Sequence, residues 1–188
     1  MSDALLGGFV QPAVQSSHAF RAALTALSQP GNIRDLNGAV PPAPLSVAAG
    51  VLLLTLCDGT TPLHLAGAFD CAPVRDWITF HCGAPLVSAE AAVFALGDWQ
   101  ALQPLGQFAI GLPDYPDRAA TLIVEMPALE AKGAVLRGPG IADVAYLSLP
   151  EVAAFQANRA LFPLGFDCFF TCGTKVAALP RSTYVEAV

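Results

Sequence analysis

Arg118, Arg137, Arg159 and Arg181 each fall at the end of an element or in a stretch flanked by Pro or Gly. A guanidinium in such a place can grip a carboxylate or phosphate through two parallel hydrogen bonds. Two readings follow. In one, Asp114, Asp117 and Asp167 pair with these arginines and lock the loops that carry them. In the other, Asp117, Arg118, Asn158, Arg159 and Arg181 meet an anion or a partner subunit.

Other chemistries find less support. Cys168 and Cys172 sit in a strand-like run, so they share a face but stand about 13 Å apart at ~3.3 Å per residue, too far to hold one zinc ion. His81 and Cys82 are helix neighbours and point apart. His18 and His64 have no companion at ligand spacing. A nucleophilic Cys or Ser would need a nearby His and an orienting carboxylate, and no local signature supplies them. Gly138-Pro139-Gly140 lies between strand-like runs, and Pro139 lacks an N–H, so it is a turn and a poor phosphate cradle. No Walker-type or GxGxxG motif occurs. The two lysines, Lys132 and Lys175, both adjoin loop glycines, which is no setting for a pyridoxal phosphate Schiff base.

These residues must be positioned by an alternation of helices and strands. Ser16-Ser17 offers a helix N-cap, Phe20, Leu24 and Leu27 follow at helical spacing, and Pro30-Gly31 stops the run. Residues 33–44 read as a loop. Residues 45–57 are predominantly apolar, longer than a usual strand, and read as a buried helix ended by Asp58-Gly59. Residues 62–66 form a short strand. Residues 72–82 form a helix with Val74, Trp77 and Ile78 on its apolar side. Residues 92–96 form a buried strand, 99–105 a turn of helix, and 121–126 a strand rich in β-branched residues. Residues 134–137 and 142–147 pair as a hairpin across Gly138-Pro139-Gly140. A helix starts at Leu149-Pro150-Glu151, carries Val152, Phe155, Arg159 and Phe162, and ends at Pro163 to Gly165. Residues 166–172 and 175–179 form a second hairpin across Gly173-Thr174. The pattern is that of an α/β fold with a mixed sheet and helices on both faces, in one domain spanning 1–188.

Composition bounds the function. Only 13% of the 188 residues are charged, against roughly 25% in average globular chains. So little charge struggles to cover a surface, and some apolar surface is expected to meet a partner. The net charge of −6 and the absence of any basic cluster argue against nucleic acid. Residues 1–8 lack the basic region of a secretory signal, and the longest apolar run, 47–57, is too short for a span of roughly 20 residues. Five scattered cysteines suit a reducing compartment, so the chain is expected to be cytoplasmic and off the membrane.

Several unusual phrases follow one another along the chain: Asp114-Tyr115-Pro116-Asp117-Arg118, Gly138-Pro139-Gly140-Ile141, residues 158–167 (NRALFPLGFD) and Ala178-Leu179-Pro180-Arg181-Ser182-Thr183. With Ser17-His18-Ala19-Phe20-Arg21, Gln29-Pro30-Gly31 and Gly83-Ala84-Pro85-Leu86, the ordered set resembles the PhnH family of the bacterial carbon–phosphorus lyase system. One departure is Gln29, where many relatives carry Arg before the Pro, so no role of that arginine transfers. The resemblance implies a three-layer α/β sandwich similar to the large domain of pyridoxal phosphate-dependent transferases, without the cofactor. It implies a subunit, with no catalytic residue of its own, of a core complex with PhnG, PhnI and PhnJ, and a homodimer when isolated. That complex transfers an alkylphosphonate to the ribose C1′ of ATP with release of adenine (alpha-D-ribose 1-methylphosphonate 5-triphosphate synthase). In it PhnI is central to the displacement and PhnJ carries the iron–sulfur radical chemistry. No cofactor is expected in this chain, and its cysteine spacing does not suit an iron–sulfur cluster. The alternative is a subunit with its own ATP- or phosphonate-binding site, formed by Arg118, Arg159 and Arg181.

Overall fold

A computed structural model describes residues 6–188. In chain order the elements are α1 (Pro12–Ser28), β1 (Arg34–Asp35), α2 (Val47–Leu56), β2 (Leu63–Leu65), α3 (Ala72–His81), β3 (Phe94–Asp98), β4 (Ile110–Leu112), β5 (Tyr115–Ala119), β6 (Thr121–Glu125), β7 (Ala134–Arg137), β8 (Ala145–Leu147), α4 (Val152–Ala160), β9 (Asp167–Cys172), β10 (Lys175–Leu179) and β11 (Tyr184–Glu186). Six strands make one mixed sheet in the order β1-β10-β9-β6-β3-β2. β2, β3, β6 and β9 run parallel, whereas β10 is antiparallel to both its neighbours, β9 and β1.

The register of this sheet sorts its side chains into two cores, because strand residues alternate between faces. Leu65, Leu96, Ile123, Phe169 and Ala178 are successive partners across five strands. They share one buried cluster with α1, α2 and α3. One residue earlier, Ala95, Leu122 and Cys168 line up against Leu179. They belong to the opposite cluster, closed by Phe155 of α4, by Leu136, Leu147 and Val185 of the small sheet β11-β7-β8, and by Trp99, Leu102 and Phe108. The α/β reading with helices on both faces holds, although on the second face a single helix shares the work with three short strands.

α2 is apolar on all sides because it is buried on all sides, with Ala48 to Leu53 excluded from solvent. Ser46 caps it, its Oγ accepting from the Ala49 amide at 3.1 Å. α3 buries Val74, Trp77 and Ile78 as the sequence suggests. α1 departs from expectation twice. It begins at Pro12 after Gln11, so Ser16 lies inside the helix and its hydroxyl donates to the Pro12 carbonyl at 2.6 Å. Its buried side is Ala19, Ala23 and Ala26, while Phe20 and Leu24 are half exposed. The turn at Gly140 seats on the end of this helix. A Cβ at Gly140 would fall 1.8 Å from the Ser28 carbonyl oxygen, so only glycine allows the approach.

Further corrections concern short elements. The stretch 33–44 is not all loop, since Arg34 and Asp35 pair with Val176 and Lys175 as an edge strand. α4 starts at Val152 with Glu151 as its cap, leaving Pro150 outside, and stops at Ala160, so Phe162 follows the helix. Residues 99–102 make a hydrogen-bonded turn, the Leu102 amide donating to the Asp98 carbonyl, and a short 3₁₀ turn follows at Leu105–Gln107. β4, β5 and β11 had no counterpart in the sequence reading. Among the described residues no helix is long and apolar enough to cross a membrane.

Candidate functional site

The phrases 114–118, 158–167 and 178–183 are distant in sequence, and the fold gathers them where the parallel strands begin. Thr121 opens β6 beside Asp167 at the start of β9, and Leu179 ends antiparallel β10 opposite Cys168. The next turn of chain therefore delivers Arg181 to Asp167. The backbone amide of Arg181 donates to Asp167 Oδ1 at 2.8 Å, Nε donates to the same oxygen at 3.1 Å, and Nη2 donates to Oδ2 at 2.5 Å. Nη1 reaches across to the Pro116 carbonyl at 2.7 Å, tying the β4–β5 hairpin to this corner. The pair is largely sheltered, with the two side chains 13% and 23% exposed.

Asn158, in the last turn of α4, is buried. Its Nδ2 donates to the Phe166 carbonyl at 2.8 Å and its Oδ1 accepts from the Phe166 amide at 3.0 Å. This fork satisfies both backbone groups of the residue leading into β9. Gly165 must be glycine, because it has φ +115° and a Cβ there would come 2.6 Å from Asn158 Oδ1. Asn158 and Arg181 are therefore structural locks.

Arg118 and Arg159 are placed differently. Arg118 lies on β5, not in a loop, and its guanidinium rests 4.1 Å from the centroid of the Tyr115 ring. Arg159 is held between two rings, 4.1 Å from Tyr184 and 4.8 Å from Phe162. Its Nε is buried and has no hydrogen-bond partner. Among the described residues neither guanidinium has a carboxylate within salt-bridge distance. Leu112, Tyr115, Leu161, Phe162 and Tyr184 beside them are each about half exposed. Stacking orders an arginine without neutralising it, so this edge presents two oriented, unspent cations set among apolar side chains.

The loop-locking reading of the arginines thus holds for Asp167 alone. Among the described residues Asp114 and Asp117 are exposed and pair with no arginine. Arg137 lies 3.6 Å from Asp143 and 3.7 Å from Glu186, in exposed pairs of little energetic weight. Sequence reasoning missed Tyr184 and Tyr115 as partners of the cations. Tyr184 lies on a three-residue strand that carries no local signal, whereas Tyr115 stood inside a phrase already singled out.

The opposite edge, at the carboxyl ends of the parallel strands, is where open α/β sheets usually bind ligands. Here the chain fills part of it. Glu125 ends β6 and accepts from the Ser46 amide at 2.7 Å, and the Ala48 amide donates to the Gly173 carbonyl at 2.9 Å. The amino end of α2 is thereby closed by the protein's own acceptors. Burial raises the Glu125 carboxyl above its ordinary range, and the Ser46 amide partly offsets this. Among the described residues no three of His, Cys, Asp and Glu are grouped to hold a metal ion. Burial pushes the Cys57 and Cys82 thiols up to about 12 and the Cys168 thiol well above its ordinary value. These sulfurs are protonated and poor nucleophiles.

Comparison with known proteins bears on the family of the chain as a whole. A family model described as bacterial phosphonate metabolism protein (PhnH) matches residues 7–186. The alpha-D-ribose 1-methylphosphonate 5-triphosphate synthase subunit PhnH of Rhizobium meliloti (strain 1021) is 40% identical over 189 aligned residues, covering 96% of this chain and 94% of its own. A putative C-P lyase subunit protein, HtxG, of Stutzerimonas stutzeri is 30% identical over 174, covering 89% and 84%.

Proposed function

Because the chain belongs to the PhnH family, we propose that it is a non-catalytic subunit of a ribose 1-methylphosphonate 5-triphosphate synthase. In that role it helps an assembly attach an alkylphosphonate to the ribose of ATP. The partners in this reading are PhnG, PhnI and PhnJ, with a homodimer when the chain is alone, in the cytoplasm. The chain acts as one domain whose mixed sheet follows the large domain of pyridoxal phosphate-dependent transferases without the cofactor.

The observation that carries the reading is the edge with Arg118 and Arg159. An oriented guanidinium in an exposed aromatic setting is the kind of group that dominates subunit interfaces. Asp117, Asn158 and Arg181 shape or border this edge, and Arg118 and Arg159 make the contact. The competing reading, an ATP or phosphonate site formed by Arg118, Arg159 and Arg181, requires Arg181 as a ligand. Three of its five N–H donors already go to Asp167 and the Pro116 carbonyl, and its charge is paired with the Asp167 carboxylate.

Coexpression with PhnG, PhnI and PhnJ followed by light scattering tests the proposal. The chain is expected to copurify in one complex, and an Arg118→Ala, Arg159→Ala double variant is expected to fall out of it while remaining folded. A wild-type chain that stays apart from all three overturns the subunit reading, and a double variant that assembles normally overturns this choice of surface.

A further inference from the structure

On the far side of the sheet, a cavity of about 220 Å³ is lined by His64, Leu65, Asp70, Arg75, Leu86, Val87 and Ser88. It forms because β2 is an edge strand only partly covered. Leu63 is paired on its outer side, its amide donating to the Pro85 carbonyl at 2.8 Å and its carbonyl accepting from the Val87 amide at 3.0 Å. The ladder stops there. Alternation along the strand turns the Leu65 amide toward the same open edge, where it meets no acceptor among the described residues.

Val87 offers its carbonyl to a side chain instead, with His64 Nδ1 3.0 Å from that oxygen. A carbonyl only accepts, so Nδ1 carries a proton, and in the neutral ring Nε2 is left as a free acceptor. Arg75 is engaged along one side, with Nε and Nη2 on the two Asp70 oxygens, and its Nη1 has no partner among the described residues. The cavity wall therefore offers two free donors, Leu65 N–H and Arg75 Nη1, beside one free acceptor, His64 Nε2.

We propose that this cavity binds a small tetrahedral oxyanion that still carries a hydroxyl, such as inorganic phosphate or an alkylphosphonate. The unprotonated oxygens accept from Arg75 and the Leu65 amide, and the P–OH donates to His64 Nε2. The surrounding charge favours a ligand that brings its own proton. Asp70 offsets Arg75, and Glu90, next but one after Ser88, adds a carboxylate held below its ordinary range chiefly by its own backbone amide and then by the Ser88 hydroxyl. A fully deprotonated anion meets these acceptors as repulsion. The volume sits below the roughly 300–1,000 Å³ of drug-sized sites, which suits one such group rather than a nucleotide. The proposal concerns the isolated chain and stands whether or not the chain assembles with partners.

Calorimetry of the isolated full chain with inorganic phosphate, methylphosphonate and sulfate tests it. Inorganic phosphate always keeps a hydroxyl at neutral pH, methylphosphonate keeps one in part of its population, and sulfate keeps none. Phosphate or methylphosphonate is expected to bind at least about tenfold more tightly than sulfate, and the tighter of the two identifies the source of the group. Arg75→Gln, at an exposed ion pair and so harmless to the fold, is expected to weaken binding about tenfold or more. No binding of either ligand into the millimolar range, equal binding of sulfate, or unchanged affinity in the Arg75→Gln variant would each overturn the proposal.

Discussion

Replacing Arg181 by Ala removes two side-chain donors from Asp167 and one from the Pro116 carbonyl, leaving a sheltered carboxylate short of partners. Such a loss costs about 2–4 kcal/mol, to be read as a lower urea midpoint. Arg118→Ala touches only an exposed ring stack and is expected to shift stability by about 0.5 kcal/mol or less. Equal destabilisation of the two variants would contradict the separation of lock from contact. Glu125 makes a pH-dependent prediction. Its folded carboxyl is raised by burial, so the folded chain holds that proton more tightly than the unfolded chain. The resulting stability is complete below the ordinary value of 4.5 and is lost as pH rises through the folded value. Glu125→Gln keeps the acceptor for the Ser46 amide and has no charge to desolvate. The variant should be more stable than wild type at pH 7 and lack that decline, while the exposed carboxylates with depressed values, Asp58, Asp70 and Glu90, act equally in both chains. A variant that is less stable than wild type at pH 7 would show that the charged carboxylate is favourable there. The sequence singled out the arginines by type and setting. It could not say which was spent, because Arg181 meets Asp167 only once β9 and β10 have paired.

At the scale of elements, segments with their own apolar pattern or turn residues were legible, the short β2, β7 and β8 among them, and those without were not. α2, α3, β6 and the β9–β10 hairpin carry their own apolar pattern or turn residues. β1, β4, β5 and β11 run from two to five residues. Pro116 sits inside β5, where a central strand would not tolerate it but a two-stranded ribbon does. β1 takes its partner from the far end of the chain. α1 misleads for a physical reason, since large apolar residues normally mark the inward side, whereas here alanines face the core. The consequence can be tested within one helix. Ala26→Leu forces a larger side chain into a fully buried position and should cost about 1–3 kcal/mol in chemical denaturation. Leu24→Ser, on the exposed side, should change stability by about 0.5 kcal/mol or less. The reverse ranking would mean that α1 packs through its larger residues.

Across the whole molecule, the residues alone pointed to an α/β chain with surplus apolar surface, and only the ordered phrases pointed to a phosphonate-processing family. Strand order escaped sequence reading because parallel pairing of β6 with β9 joins residues as far apart as Thr121 and Asp167 and leaves no local trace. The surplus surface is real: Phe20, Leu24, Tyr115, Phe162 and Tyr184 are about half exposed. A chain with so few charges would be prone to stick to itself, and the outer strands of the large sheet bear on how. One margin is β1, two residues long and made of Arg34 and Asp35. The other is β2, three residues long and already bonded at Leu63 to the 85–87 segment. Neither margin gives a neighbouring backbone more than a few amides to grasp, and one bears charges of both signs. Growth of the large sheet by adding strands is disfavoured at both margins, which favours association through side chains, where recognition can be selective.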